Sequence, residues 1–323
     1  MSQPIDVPGA RRGLVALSHQ LGDPAADLVV LGEGNTSAAL GDGTFLVKAS
    51  GTRLGGVTED DLVRLDLAAV LALVDDPGLD EHDQAGLAAR LRAAARPSGP
   101  EPATGPDTGA DPDAAFGSGA SASSSGPGGK LASIETMLHA LALDLPGTHV
   151  VGHTHPTAVN ALLCSDRAAD LVAGSLFPDQ VVVCGAHALL VPYAEPGLPL
   201  ARAVRRGLTE YLDAHGGPPR LIHLANHGIV ALGENAVQVL AVTTMAVKAA
   251  RVLSGALAVG RPHYLSADTV ARLDNRPDEL HRRRVLAAAP APTAAPTAVP
   301  TAVPTVAAGT PTVAAGAPTE GVR

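Results

Sequence analysis

Between residues 11 and 260 the chain switches repeatedly between two hydrophobic periods. Stretches with apolar residues three or four apart read as helices, and short runs dense in Val, Leu and Ile read as strands. The order is regular. Residues 11–21 predict a helix, and DLVVLGEGN predicts a strand running into a glycine-rich turn. TFLVKASGT and DLVRLDL predict two further strands, followed by Ala/Leu-rich helical sequence ending in AGLAARLRAAA. SIETMLHALAL reads as a helix with Ser133 as a candidate N-cap, THVVGHTHP as a strand stopped by Pro156, and QVVVCG and HALLVP as short strands. PLARAVRRGLTEYLDAHG is a helix closed by Gly216-Gly217, RLIHLANHGIVALG is strand, turn and strand, and NAVQVLAVTTMAVKAARVLSGAL is a long apolar helix. Alternating elements of this kind predict an α/β domain with helices covering a central sheet. The strand-turn-strand joins favour a mixed or antiparallel sheet over a parallel one.

Two stretches break the pattern. Residues 96–129 and 287–323 are rich in Gly, Pro, Ser, Ala and Thr and carry no apolar period, so both are expected to be disordered. Helical sequence flanks the first on both sides, making it an insert within a domain. The length of 323 residues suggests two average domains. Setting the two stretches aside leaves about 250 residues, which fits one large domain over 1–286 with a tail from 287.

Composition narrows the function classes. Aromatic residues make up 2% of the chain, which excludes base stacking on single-stranded nucleic acid as a main activity. The net charge of −9 makes nucleic acid and anionic membranes poor partners. The N-terminal sequence has no signal-type apolar core, and no apolar run reads as a membrane span. Cys164 and Cys184 are spaced unlike a zinc knuckle or redox pair, so the expectation is a cytoplasmic protein with two reduced thiols.

The candidate chemistry lies in the histidines. His153 and His155 are two apart in a predicted strand, so their side chains share a face about 6–7 Å apart at Cα. That suits two ligands of one divalent ion, although a lone His-x-His is as easily a packed or surface pair. A catalytic zinc usually takes three protein ligands. His227, in the Asn226-His227-Gly228 turn, is the best third ligand, and His223 on the preceding strand is the rival. Glu135 is the acid nearest in sequence to this strand; it also reads as a first-turn glutamate favoured by the helix dipole. His139, four residues on, shares its face and can orient it. Two turns, Gly32-Glu33-Gly34-Asn35-Thr36-Ser37 and Ala49-Ser50-Gly51-Thr52, are rich in backbone N–H and hydroxyl groups that can cradle an anion. Lys48 can supply a fixed positive charge, or simply end its strand in solvent.

Taken in order, GEGNTS, VKASGTRL, TEDDLVRLDL, SIETMLHA, VVGHTHP and NHGIVALG resemble the class II aldolase/adducin family over nearly all of residues 11–260. The resemblance implies a three-layer αβα domain, a homotetramer with fourfold symmetry, and Zn2+ or another divalent ion on His153, His155 and His227. It implies Glu135 as the acid/base and Asn35, Thr36, Ser37, Lys48, Ser50, Gly51 and Ser133 as substrate or phosphate contacts. The activity it implies is metal-dependent cleavage of a ketose, a sugar phosphate, through a metal-stabilised enediolate. The alternatives it leaves are a dehydratase, epimerase or decarboxylase using the same site, or a non-catalytic adducin-like module. Epimerases of the family tend to carry Asp in place of Glu135, and adducin-like modules lack the metal ligands. Two departures stand out. Ile134 occupies a position where sugar-phosphate members often have a second serine, and Tyr193 is offset from the place of the family's cross-subunit tyrosine.

Overall fold

The computed structural model describes residues 6–96 and 130–276. The expected insert at 96–129, apart from Arg96, and the expected tail at 287–323 lie outside the described residues.

The helices are α1 (Val7–Leu21), α2 (Leu67–Asp75), α3 (Gln84–Ala93), α4 (Thr136–Leu143), α5 (Thr157–Leu163), α6 (Pro178–Cys184), α7 (Leu198–His215), α8 (Ala236–Val259) and α9 (Ala267–Asp274). The strands are β1 (Asn35–Ala39), β2 (Thr44–Lys48), β3 (Leu62–Asp66), β4 (Ala95–Arg96), β5 (Val150–Thr154), β6 (Leu189–Val191), β7 (Leu221–Leu224) and β8 (Gly228–Gly233). They form an eight-stranded sheet in the order β4-β3-β2-β1-β5-β8-β7-β6. Neighbours are antiparallel throughout except β6 and β7. The sheet is therefore mixed, as the strand-turn-strand joins predict.

Helices cover both faces. Strand alternation sends Phe45, Val47, Leu65, Val151, Ile222, Val230 and Leu232 into one core with residues of α2, α3, α4 and α7. Ile229, Ala231 and Leu221 enter the other core, against α1, α5 and α8. Every residue of β8 is buried, the mark of a strand covered on both sides. With no tryptophan in the chain, these layers are filled by Leu, Val and Ala, and Phe45 is the largest fully buried side chain.

Local chemistry sets the helix ends. The Asp66 carboxylate accepts the Ala69 N–H at 2.9 Å to start α2, and Asn235 Oδ1 accepts the Gln238 N–H at 3.0 Å to start α8. Gly216, at φ 72°, closes α7 as expected.

Four expectations change. QVVVCG lies in helix α6, because Pro178 opens a helical turn and Gly185, at φ 89°, ends it; a run of four apolar residues has no period to separate the two states. DLVV is not a strand. Asp27 and Leu31 both take positive φ, and pairing begins only at Asn35. Ser133 is not the cap of α4, since Glu135 occupies that position and makes no capping bond with its side chain. Finally, α8 is long and apolar enough to cross a membrane by length and composition, contrary to the expectation of no such run. In this fold it is a core helix, with Val239, Val242, Ala246, Ala250 and Leu253 buried in the second core.

Phe45→Ala should lower unfolding free energy by about 3–5 kcal/mol, read as a drop in urea midpoint with an unchanged slope.

Candidate metal centre

The three histidines arrive from two neighbouring strands. His153 is the fourth residue of β5 and pairs with Val230 of β8. His155 follows the end of β5, and its N–H donates to the Leu28 carbonyl at 2.8 Å. His227 sits in the turn joining β7 to β8, just after Asn226, which takes φ 55°. Asn160 of α5 holds that turn by donating to the His227 carbonyl at 2.9 Å. Gly228 follows, where a Cβ would lie 2.5 Å from the Thr154 carbonyl oxygen and 2.7 Å from His155 Cδ2. Only glycine lets the turn close onto the end of β5.

The rings meet edge to face, with centroids 4.7–4.9 Å apart. One nitrogen from each ring lies within 4.8 Å of those of the other two. His153 Nε2 and His155 Nε2 are 2.9 Å apart. His153 Nδ1 bonds the Ile229 carbonyl at 2.9 Å, and as a carbonyl only accepts, that nitrogen carries the proton. With Nδ1 protonated, any lone pair of this ring lies on Nε2, which faces the cluster, as a metal ligand needs. The rival His223 is buried in the opposite core layer, lining a cavity with Cys184 and Ala246, and takes no part in the cluster.

Glu135 is brought to the same point from the start of α4. Its Oε1 is 3.1 Å from His227 Nε2 and its Oε2 3.6 Å from His153 Nε2. Asn35 Nδ2 donates to Oε2 at 2.6 Å. Burial alone would raise the Glu135 carboxyl, but His153 and His227 outweigh it and hold it well below the ordinary carboxylate range. Burial tends to lower His153, and Glu135 outweighs that and raises it. His155 is pushed down to about 3 by burial and by the neighbouring rings, so it stays neutral near pH 7. Three converging imidazoles beside one carboxylate form a donor set that could hold a single divalent ion. Among the described residues the buried His227 Nδ1 has no hydrogen-bond partner.

The remaining candidates divide. Strand alternation puts Asn35 and Ser37 of β1 on one face and Thr36 on the other. Asn35 reaches Glu135. Ser37 is sealed against α4, where its Oγ bonds His139 Nδ1 at 2.7 Å. Thr36 points to α1, where its Oγ1 lies 2.6 Å from Ser18 Oγ in a fully buried pair. Neither Thr36 nor Ser37 has a hydroxyl open to a ligand. Lys48 is almost fully buried, and its ammonium donates to the Thr52 carbonyl at 2.6 Å and the Ala49 carbonyl at 3.3 Å. Burial lowers its pKa against the pull of Glu135 and Asp61. It ties the 49–52 turn from beneath. Ser50 and Gly51 are exposed, with Gly51 at φ 80°, and the Ser50 N–H donates to the Leu131 carbonyl at 2.8 Å. The second turn is thus joined to the segment carrying Ser133, whose Oγ accepts the Glu135 N–H at 3.3 Å.

Sequence reading missed Glu33. Its Oε1 is 3.7 Å from His155 Nδ1. The signal was a carboxylate inside a turn read as an anion cradle, where a negative side chain is out of place.

Residues 12–254 match the Class II Aldolase and Adducin N-terminal domain. The chain belongs to that family. Solved structures share this class II aldolase fold. An L-fuculose 1-phosphate aldolase superposes with a TM-score of 0.59 at 15% identity, covering 85% of this chain and 99% of that one. YgbL from Klebsiella pneumoniae, whose description spans aldolase, epimerase and decarboxylase, gives 0.56 at 20% identity, covering 83% and 98%. An aldolase II superfamily protein from Pseudomonas syringae gives 0.52 at 16%, covering 89% and 93%. At these identities the likeness concerns the fold alone. A Bacillus subtilis (strain 168) protein described as uncharacterized oxidoreductase YuxG is 33% identical over 102 residues, which is 32% of this chain and 12% of that protein. The chain thus aligns with only a small part of that relative.

Gly228→Ala should displace His155 and cut divalent-ion affinity by about tenfold or more. Thr36→Val should cost about 1 kcal/mol of stability through the lost Ser18 contact and leave ion affinity unchanged. Metal titration and urea unfolding of the two variants check both.

Proposed function

We propose that this protein is a metal-dependent aldolase that cleaves a ketose, a sugar phosphate in the first instance, between the carbon next to the ketone and the hydroxyl-bearing carbon beyond it. The observation that carries this reading is the placement of Glu135. A carboxylate anchored by Asn35 lies 3.1 Å from one imidazole of a three-histidine cluster and 3.6 Å from another, which would put an acid/base group beside an ion held there.

A divalent ion on His153, His155 and His227, with zinc the first choice, supplies Lewis acidity to the ketone oxygen and a neighbouring hydroxyl. The work left to the chain is a proton transfer. In the condensation direction Glu135 takes the proton from the carbon beside the ketone. In the cleavage direction the hydroxyl gives up its proton to a base, solvent in the simplest case, as its C–O bond becomes the aldehyde carbonyl and the C–C bond breaks. The carbon beside the ketone keeps that electron pair, and Glu135, once protonated, delivers a proton to it. Asn35 donates to the Glu135 oxygen that also faces His153, which fixes the plane of the carboxylate through both directions. Ser50, Gly51 and Ser133 are the groups best suited to the anionic end of the substrate, on the two segments joined by the Ser50–Leu131 bond. A homotetramer accompanies this reading; Tyr193, 60% exposed, is available to a neighbouring subunit.

One observation favours a second reading. Thr36 and Ser37 are sealed in the core, Lys48 donates inward, and Ile134 takes the place of a hydroxyl donor. That leaves few side-chain donors for a phosphate. It favours an unphosphorylated substrate, or another reaction such as dehydration, epimerisation or decarboxylation, on the same centre.

A screen of phosphorylated and unphosphorylated ketoses for aldehyde release separates these readings. Cleavage of a ketose supports the aldolase; loss of water without cleavage supports the dehydratase. Glu135→Gln should keep its metal and lose about 10²-fold or more in kcat. Chelation should abolish turnover in the wild type, and added zinc should restore it. Full activity of Glu135→Gln would remove Glu135 from the chemistry.

A further inference from the structure

The mechanism above makes no use of Glu33. We infer that Glu33 is a positioning residue of the metal centre, holding the ring of His155 in the orientation and tautomer that presents Nε2 to the ion. This rests on reading the three-histidine cluster as a metal centre.

The carboxylate has a fixed direction. Its Oε2 accepts the Val30 N–H at 2.9 Å, while the Glu33 N–H donates back to the Val30 carbonyl at 3.0 Å. The two residues clasp each other, and Oε1 is left facing His155 Nδ1 at 3.7 Å. The loop itself is fastened to the end of β5. His155 N–H donates to the Leu28 carbonyl at 2.8 Å, and Thr157 Oγ1 donates to Asp27 Oδ1 at 2.8 Å. Gly34 presses against the same strand: at φ 74°, a Cβ there would lie 2.8 Å from the His153 carbonyl oxygen. Carboxylate and imidazole therefore belong to one braced corner.

A negative charge beside Nδ1 favours the tautomer with the proton on that nitrogen. The Nε2 lone pair is then free, and it is Nε2 that faces His153 Nε2 at 2.9 Å. When the ring shares electrons with a cation, its Nδ1–H becomes more positive, and the carboxylate stabilises that charge. His153 Nδ1 has a direct hydrogen bond to the Ile229 carbonyl at 2.9 Å, whereas among the described residues His227 Nδ1 has no partner. The Glu33 side chain is about one-third exposed, so the ion is strengthened by orientation plus a screened charge.

The competing explanation is that Glu33 only braces the loop through Val30. Glu33→Gln separates the two, because the amide oxygen can still accept the Val30 N–H while the charge is gone. Glu33→Ala removes both. Zinc dissociation constants would be measured on the full chain by competition with a chromophoric chelator, for the wild type, Glu33→Gln, Glu33→Ala and His155→Ala. Thermal unfolding of each would be followed in the presence of EDTA. The expected result is a 10–100-fold weaker zinc affinity for Glu33→Gln with an unchanged metal-free Tm. Glu33→Ala should lose at least as much affinity and also lower the metal-free Tm. Wild-type zinc affinity in Glu33→Gln would overturn the inference. So would a loss of affinity matched by the same fall in metal-free Tm in both Glu33 variants, which is the signature of a brace. If His155→Ala binds zinc as tightly as the wild type, the metal-centre reading itself fails, whatever Glu33 does.

Discussion

The site depends on one pairing, the antiparallel ladder between β5 and β8. Its register sets His153 opposite Val230 and Thr154 opposite Ile229. The β7–β8 turn is thereby carried to the point where β5 ends, and His227 is delivered to His153 and His155. A slip of one residue would turn His153 to the other face of the sheet and separate the three rings. Both strands are buried on both faces, so the hydrophobic layers that stabilise the domain also fix this register. Gly228 permits the last close approach, because any side chain there would collide with Thr154 and His155.

Around this ladder the charges suit the proposed cation. The chain is acidic overall, at −9, yet Glu135 is placed among three imidazoles and held ionised by His153 and His227. Asn35 steadies Glu135, and the Ile229 carbonyl and Glu33 face the far nitrogens of His153 and His155. The second turn stands apart from this negative lining. Lys48 lies beneath it, and its exposed Ser50 and Gly51 adjoin the segment of Ser133. The cation-holding and anion-facing parts of the proposed site therefore come from different segments, which suits a substrate with a ketone at one end and a charge at the other.

Much of this could be read from residues alone. His-x-His at a strand end, a histidine in a strand-to-strand turn and a glutamate opening a helix each permit a bland explanation. Their order along the chain resembled one family, and residues 12–254 match that family. The mixed sheet was also legible, from short apolar strands joined by tight turns. What escaped had physical causes. QVVVCG is too short for a period, and Pro178 decided for helix. The GEGNTS turn was read as a run of donors, but a strand begins at Asn35, and alternation sends Thr36 to Ser18 and Ser37 to His139. Which face each residue takes depends on where pairing starts, and that is fixed by partners over a hundred residues away in sequence, such as His153 opposite Asn35. Glu33 escaped for the same reason, since its meaning lies in a contact with His155.

The central claim is that His153, His155 and His227 together hold one divalent ion. Anomalous diffraction at the zinc edge, from crystals grown with zinc, tests it most directly. The account predicts one dominant peak bonded to all three imidazoles at about 2.0–2.1 Å, with Glu135 beside it. A zinc peak elsewhere in the chain, or no peak between these three rings, would contradict it.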